Sequence, residues 1–110
     1  MKWIAIQIQG ARRSRSLLRL LGVLTLAPEA REIRVVKGPV SQMYVNLCIR
    51  VQSVTRLWSV LGKTIRRDKV LSRHAIVTCE GRHGWDDYEL MYHWDQEQIG
   101  KKWKQVRSSR

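Results

Sequence analysis

A chain of 110 residues fits one domain, and 44% apolar residues suffice for one ordinary core and argue against global disorder. Lys and Arg total 21 against 9 Asp and Glu, a formal net charge of +12, which exceeds what solubility asks for and points to a polyanionic partner. Two cysteines are too few for a disulfide scaffold, and the best apolar run, Leu17 to Ala27, contains Arg19 and falls short of the roughly 20 residues a membrane-crossing helix needs.

The charge is unevenly placed. Residues 1–80 hold fifteen of the basic residues and four acids, whereas Asp86, Asp87, Glu89, Asp95 and Glu97 sit together late in the chain. Residues 3–9 alternate Ile4, Ile6 and Ile8 against Trp3, Ala5 and Gln7, a period of two that predicts a strand ended by Gly10. Ser14 or Ser16 then caps a helix with the stripe Leu17, Leu18, Leu21 and Leu24. Arg12, Arg13, Arg15 and Arg19 crowd its start, where cations oppose the helix dipole, so they are read as serving a partner. Residues 1–28 hold these arginines and no acid, which makes a targeting sequence the competing reading, but the strand pattern at 3–9 favours a cytoplasmic protein.

Residues 31–37 form a second strand on Ile33, Val35 and Val36, and Gly38-Pro39 signals a turn. Met43, Val45, Leu47, Ile49 and Val51 then alternate with Tyr44, Asn46, Cys48, Arg50 and Gln52, the clearest strand in the chain. Ser53 caps a second helix through Val54, Leu57, Trp58, Leu61 and Ile65, with Gly62 weakening it. A helix-turn-helix with Gly62 at the turn is disfavoured, because the apolar position after the turn falls on Asp68. Residues 74–80 form a fourth strand, Gly81–Gly84 a loop, and Tyr88–Trp94 a fifth strand in a hairpin with the fourth. Residues 1–95 are thus read as a single α+β domain and 96–110 as a basic tail, in part a short helix.

This order, βαββαβ with an added C-terminal strand, resembles the ferredoxin-like split βαβ plan, which implies an antiparallel sheet with two helices on one face and the first and third strands central. The open face would then show Trp3, Gln7, Tyr44, Asn46 and Arg50, aromatic rings beside Arg and amides, a combination that stacks and holds unpaired bases. In layout that sheet resembles the sheet of an RNA-recognition motif. Its first strand has no central aromatic, and its third has Tyr44 alone.

Two basic clusters, Arg12, Arg13, Arg15, Arg19 and Arg66, Arg67, Lys69, Arg73, offer phosphate contacts. The expectation is a small, non-enzymatic nucleic-acid-binding protein that prefers RNA or single-stranded DNA. Arg12, Arg13, Arg15, Arg66, Arg67 and Lys69 neutralise phosphates, Trp3 and Tyr44 stack bases, and Arg50 anchors beside them. No catalytic residue, cofactor or metal is assigned. The first alternative is a homodimeric interaction module using the open sheet face and the acidic hairpin. The second is a metal-dependent nuclease using Asp86, Asp87 and Glu89. A zinc set of Cys48, Cys79, His83 and His93 matches no finger or ribbon spacing, and both cysteines are read as core residues.

Overall fold

Alternation builds the sheet. The computed structural model describes residues 2–10, 14–37, 44–81 and 84–94, with their side chains except at 14, 37 and 84–88. Strand β1 (Lys2–Gln9) buries Ile4, Ile6 and Ile8 and leaves Trp3, Ala5, Gln7 and Gln9 half-covered. Strand β3 (Tyr44–Val51) repeats the pattern, with Val45, Leu47, Ile49 and Val51 inside and Tyr44, Asn46, Cys48 and Arg50 on the other side. β1 runs antiparallel to β3 on one flank and to β4 (Ala75–Gly81) on the other. β2 (Ala30–Lys37) lies beyond β3, and β5 (Gly84–Tyr92) beyond β4, giving a five-stranded antiparallel sheet ordered β2-β3-β1-β4-β5. Gly10 ends β1 at φ 101°, a conformation that disfavours any side chain.

Register fixes the two faces. Ile4, Ile49 and Cys79 form one cross-strand row, Ile6, Leu47 and Val77 the next, Ile8, Val45 and Ala75 the third. Against these rows pack Leu20 and Leu24 of helix α1 (Ser14–Leu26), Leu57, Leu61 and Ile65 of α2 (Val54–Arg67), and Leu71 of the short α3 (Leu71–His74). Each such side chain, fully buried, stabilises the fold by about 1.5–3 kcal/mol.

The helices depart from the sequence reading in three ways. In α1 Leu24 is in the core as expected, but its fully buried companion is Leu20, while Leu18 is 68% exposed. Leucines at 17, 18, 20 and 21 cover an arc of about 160° of the helix, so the apolar period alone does not choose the buried edge. Ser16 is not a cap: it is buried, and its hydroxyl donates to Asp68 Oδ1 at 2.9 Å. Third, a helix the sequence did not signal, α3, stands between α2 and β4, because a single turn is too short to show periodicity. α2 starts as expected, with Ser53 accepting from the Arg56 backbone N–H, and it runs unbroken through Gly62. β5 begins at Gly84, four residues before the expected start, because Gly81 pairs with Gly84 and two register shifts absorb the mismatch.

Gly62 makes a test of the helical layer. A Cβ there would lie 3.1 Å from Arg66 Nη1 and 3.4 Å from the Trp58 ring. The first neighbour is the far end of an exposed side chain, which can swing away, and the second is an ordinary contact. Gly62→Ala should therefore raise stability by about 0.5–1 kcal/mol, since Ala stabilises a helix interior relative to Gly. Urea denaturation reads this as a higher midpoint at unchanged slope.

Candidate nucleic-acid interface

The face of the sheet away from the helices is built from the alternate residues of each strand. Cross-strand pairing aligns Trp3 with Arg50, Ala5 with Cys48, Gln7 with Asn46, and Gln9 with Tyr44. β2 adds Glu32 beside Arg50, Arg34 beside Cys48 and Val36 beside Asn46. The Arg34 guanidinium lies over the Trp3 ring, 5.3 Å from its centroid. Glu32 sits between two arginines: its Oε2 is 2.6 Å from Arg34 Nε, an ion pair without the alignment of a hydrogen bond, and its Oε1 is 3.9 Å from Arg50 Nη2.

This face thus gathers Trp3, Tyr44 and Arg50, together with Gln7 and Asn46. Sequence reading missed Arg34 and Glu32, although their spacing of two on a strand was the available signal. Trp3 and Tyr44 lie at opposite ends of the paired strands. Six strand residues separate their rows, roughly 20 Å, so the two rings cannot hold the same base. On the β4–β5 side of this face Ile76 and Leu90 are buried as a separate apolar pair.

The basic clusters lie elsewhere. Arg15 is exposed on α1, Arg66 and Arg67 occupy the last turn of α2, and Lys69 and Arg73 follow in and beside α3. These belong to the helical layer, on the far side of the sheet from Trp3, Tyr44 and Arg50, so the residues expected to act together fall on two opposed surfaces. Arg12 and Arg13 lie outside the described residues. Residues 14–26 and 54–74 contain eight Arg or Lys and one acid, Asp68, which makes this layer strongly cationic. The sheet face is nearly balanced, with Arg34 and Arg50 against Glu32 and Glu80.

Between α1 and α2 is a cleft of about 240 Å³ lined by Arg19, Val23, Lys63, Thr64, Arg67 and Asp68. Lys63 and Arg67 are one helical turn apart and share a face of α2. Arg66 leans back over Trp58, 5.7 Å from the ring centroid. Asp68 fixes the geometry. Its Oδ1 accepts from Ser16 at 2.9 Å, from the Val70 N–H at 2.9 Å and from the Leu71 N–H at 3.0 Å, and its Oδ2 pairs with Arg19. Burial of Asp68 opposes ionisation, but the Leu71 N–H, the Ser16 hydroxyl, the Val70 N–H and the Arg19 guanidinium together hold its carboxyl below the usual range. The residue that disfavoured a helix-turn-helix therefore accepts from the N–H groups of Val70 and Leu71 at the start of α3 and ties that turn to α1.

The cysteines face opposite ways. Cys79 is buried on the helical side, whereas Cys48 lies half-covered on the open face and is not a core residue. They cannot share a metal ion, and among the described residues no three His, Cys, Asp or Glu side chains form a metal-binding group. His83 and the side chains of Asp86 and Asp87 lie outside the described residues. No helix among the described residues is long and apolar enough to cross a membrane.

Burial raises the thiol pKa of both cysteines. The Arg34 charge offsets part of the rise at Cys48. At Cys79 Lys2 lowers the value, and Glu89 and Glu80 raise it. Alkylation of either should be slow at neutral pH and accelerate with pH beyond the ordinary thiol range, with Cys48 faster than Cys79. A single-stranded oligonucleotide should slow the reaction at Cys48 and leave Cys79 unaffected, as read by mass spectrometry of the labelled peptides.

Comparison of the chain with protein-family models, curated proteins and solved structures returned no match. The functional reading rests on the two surfaces themselves.

Proposed function

We propose that this is a non-enzymatic nucleic-acid-binding protein that prefers RNA or single-stranded DNA. The observation that carries the reading is the cationic helical layer, where eight Arg or Lys stand against Asp68 alone. Several cations within reach of one another are what a phosphate backbone requires, and Arg adds bidentate geometry. Arg15, Arg67, Lys69 and Arg73 supply exposed charges, with Arg66 beside Trp58. Arg19 is shared with Asp68 and contributes less. The preference for unpaired strands rests on the opposite face, where Trp3 and Tyr44 are half-exposed among Arg34, Arg50, Gln7 and Asn46. Such rings stack bases only where pairing does not hold them in a duplex. The fold reading that accompanies this function is the ferredoxin-like plan with one added strand; the order β2-β3-β1-β4-β5 supports it, with α3 as an insertion.

A fluorescence titration with a short single-stranded RNA and a matched duplex, each at two salt concentrations, tests the reading. Binding should fall steeply with salt through counterion release, and the single strand should quench tryptophan more strongly. No binding at low salt would overturn it. The near-balanced charge of the sheet face favours one other reading, in which that face pairs two copies of the chain. Light scattering distinguishes them: a dimer whose Trp3 is shielded from quencher belongs to the second reading, and a monomer with accessible Trp3 to the first.

A further inference from the structure

Placing phosphate-binding cations and base-stacking rings on opposed sides of one sheet has a functional consequence. We propose that the protein binds two nucleic-acid strands at once, one in the helical cleft of Arg19, Lys63 and Arg67 and one on the sheet face at Trp3 and Arg50, and so bridges them. The inference rests on the nucleic-acid reading above and adds a second, separate site to it.

One strand wrapped around the domain is the competing arrangement, and of the two sheet edges only β2 carries cations, Arg31, Arg34 and Lys37 against Glu32. The β2 edge shows Val35 and Val36 half-exposed, at 46% and 52%, beside the carboxylate of Glu32. Its Arg31 is engaged with Gln52, and nearby Glu29 lies 4.0 Å from Arg56. The β5 edge, Gly84–Tyr92, contains Asp86, Asp87 and Glu89 and no Lys or Arg. A phosphate chain is therefore drawn to the helical layer by charge and repelled at the β5 edge, whereas the nearly balanced sheet face holds a strand by its bases.

The two sites also differ in what they recognise. The cleft presents Lys63 and Arg67 one turn apart, with Arg19 held beside them by Asp68. That arrangement takes phosphodiesters of any sequence. The sheet face offers Trp3 with Arg34 against its ring and Arg50 in the adjoining row, which takes an unpaired base with its phosphate.

The test uses the full chain and two short non-complementary oligouridylates, one carrying a donor and one an acceptor fluorophore. Energy transfer should appear on adding protein, peak near one protein per two strands, and decline at excess protein as each strand acquires its own partner. Lys63→Gln with Arg67→Gln changes two exposed side chains, so the fold should persist. That double variant should still bind a strand but return transfer to the protein-free level, and Trp3→Ala should do the same. Binding without transfer at any ratio would overturn bridging and leave the nucleic-acid reading intact. Transfer that survives in the double variant would trace bridging to self-association and would also overturn it. Absence of any binding would remove both.

Discussion

Asp68→Ala should destabilise the fold by about 3 kcal/mol, the largest effect expected of any polar substitution among the described residues. The carboxylate is only 4% exposed and accepts three hydrogen bonds as well as the Arg19 pair. Removing it leaves the buried Ser16 hydroxyl and the N–H groups of Val70 and Leu71 without their acceptor, and unmade buried hydrogen bonds cost about 1–3 kcal/mol each. The Arg19 contact adds less, because that side chain is 58% exposed and screened by solvent. Asp68→Asn keeps an acceptor oxygen and loses the charge, so its loss should be nearer 1 kcal/mol. Urea denaturation at neutral pH separates the two variants.

The same residue sets a pH dependence. The Asp68 carboxyl titrates lower in the folded chain than its ordinary value, so folding favours the ionised form. Its contribution is fully present above the unfolded value of about 4 and is lost as pH falls through the lower folded value. Wild type and Asp68→Asn should therefore converge in stability below that window and differ most above it. A gap of constant size down to strong acid would show that the ionised carboxylate is not what holds α1 to α3.

The second large effect concerns the sheet face. Trp3→Ala should weaken binding of a single-stranded oligonucleotide about ten- to a hundredfold, because a base stacked on an aromatic ring contributes about 1–3 kcal/mol. The slope of affinity against salt should hardly change, since no charge is removed. Arg50→Gln should do the reverse, with a smaller loss of affinity and a salt slope reduced by about 0.7, the share of one phosphate contact on a single strand. Arg34→Lys keeps the charge and loses the planar group that lies on Trp3, so it reports on the stack alone. Lys63→Gln should lower the salt slope while leaving the quenching at Trp3 in place.

How far the sequence carried these conclusions depended on which physical signal each residue bore. Ile4, Ile6, Ile8 and Val45 to Val51 were legible because a period of two has one interpretation when one face is buried. Ser53 was legible because a cap needs only a side-chain oxygen ahead of an amphipathic run. Leu18 and Leu20 were not separable, since both continue an apolar patch and only packing selects between them. The structural role of Asp68 was not legible for a related reason: it appeared only as an isolated acid interrupting an apolar pattern, and its four contacts come from residues up to 52 positions away. At the candidate site, local alternation brought Trp3, Tyr44 and Arg50 to one face. It carried no information on how that face lies relative to Arg66, Arg67 and Lys69, which is decided by where α2 packs.

On the proposed function, unpaired bases are held on the open sheet face. This is tested most directly by following backbone amide resonances as a short single-stranded RNA is added at low salt. The account expects shifts concentrated at Trp3, Gln7, Tyr44, Asn46 and Arg50, joined by residues around Lys63 and Arg67 at higher RNA ratios. Shifts confined to α1 and α2, with β1 and β3 silent at every ratio, would contradict it.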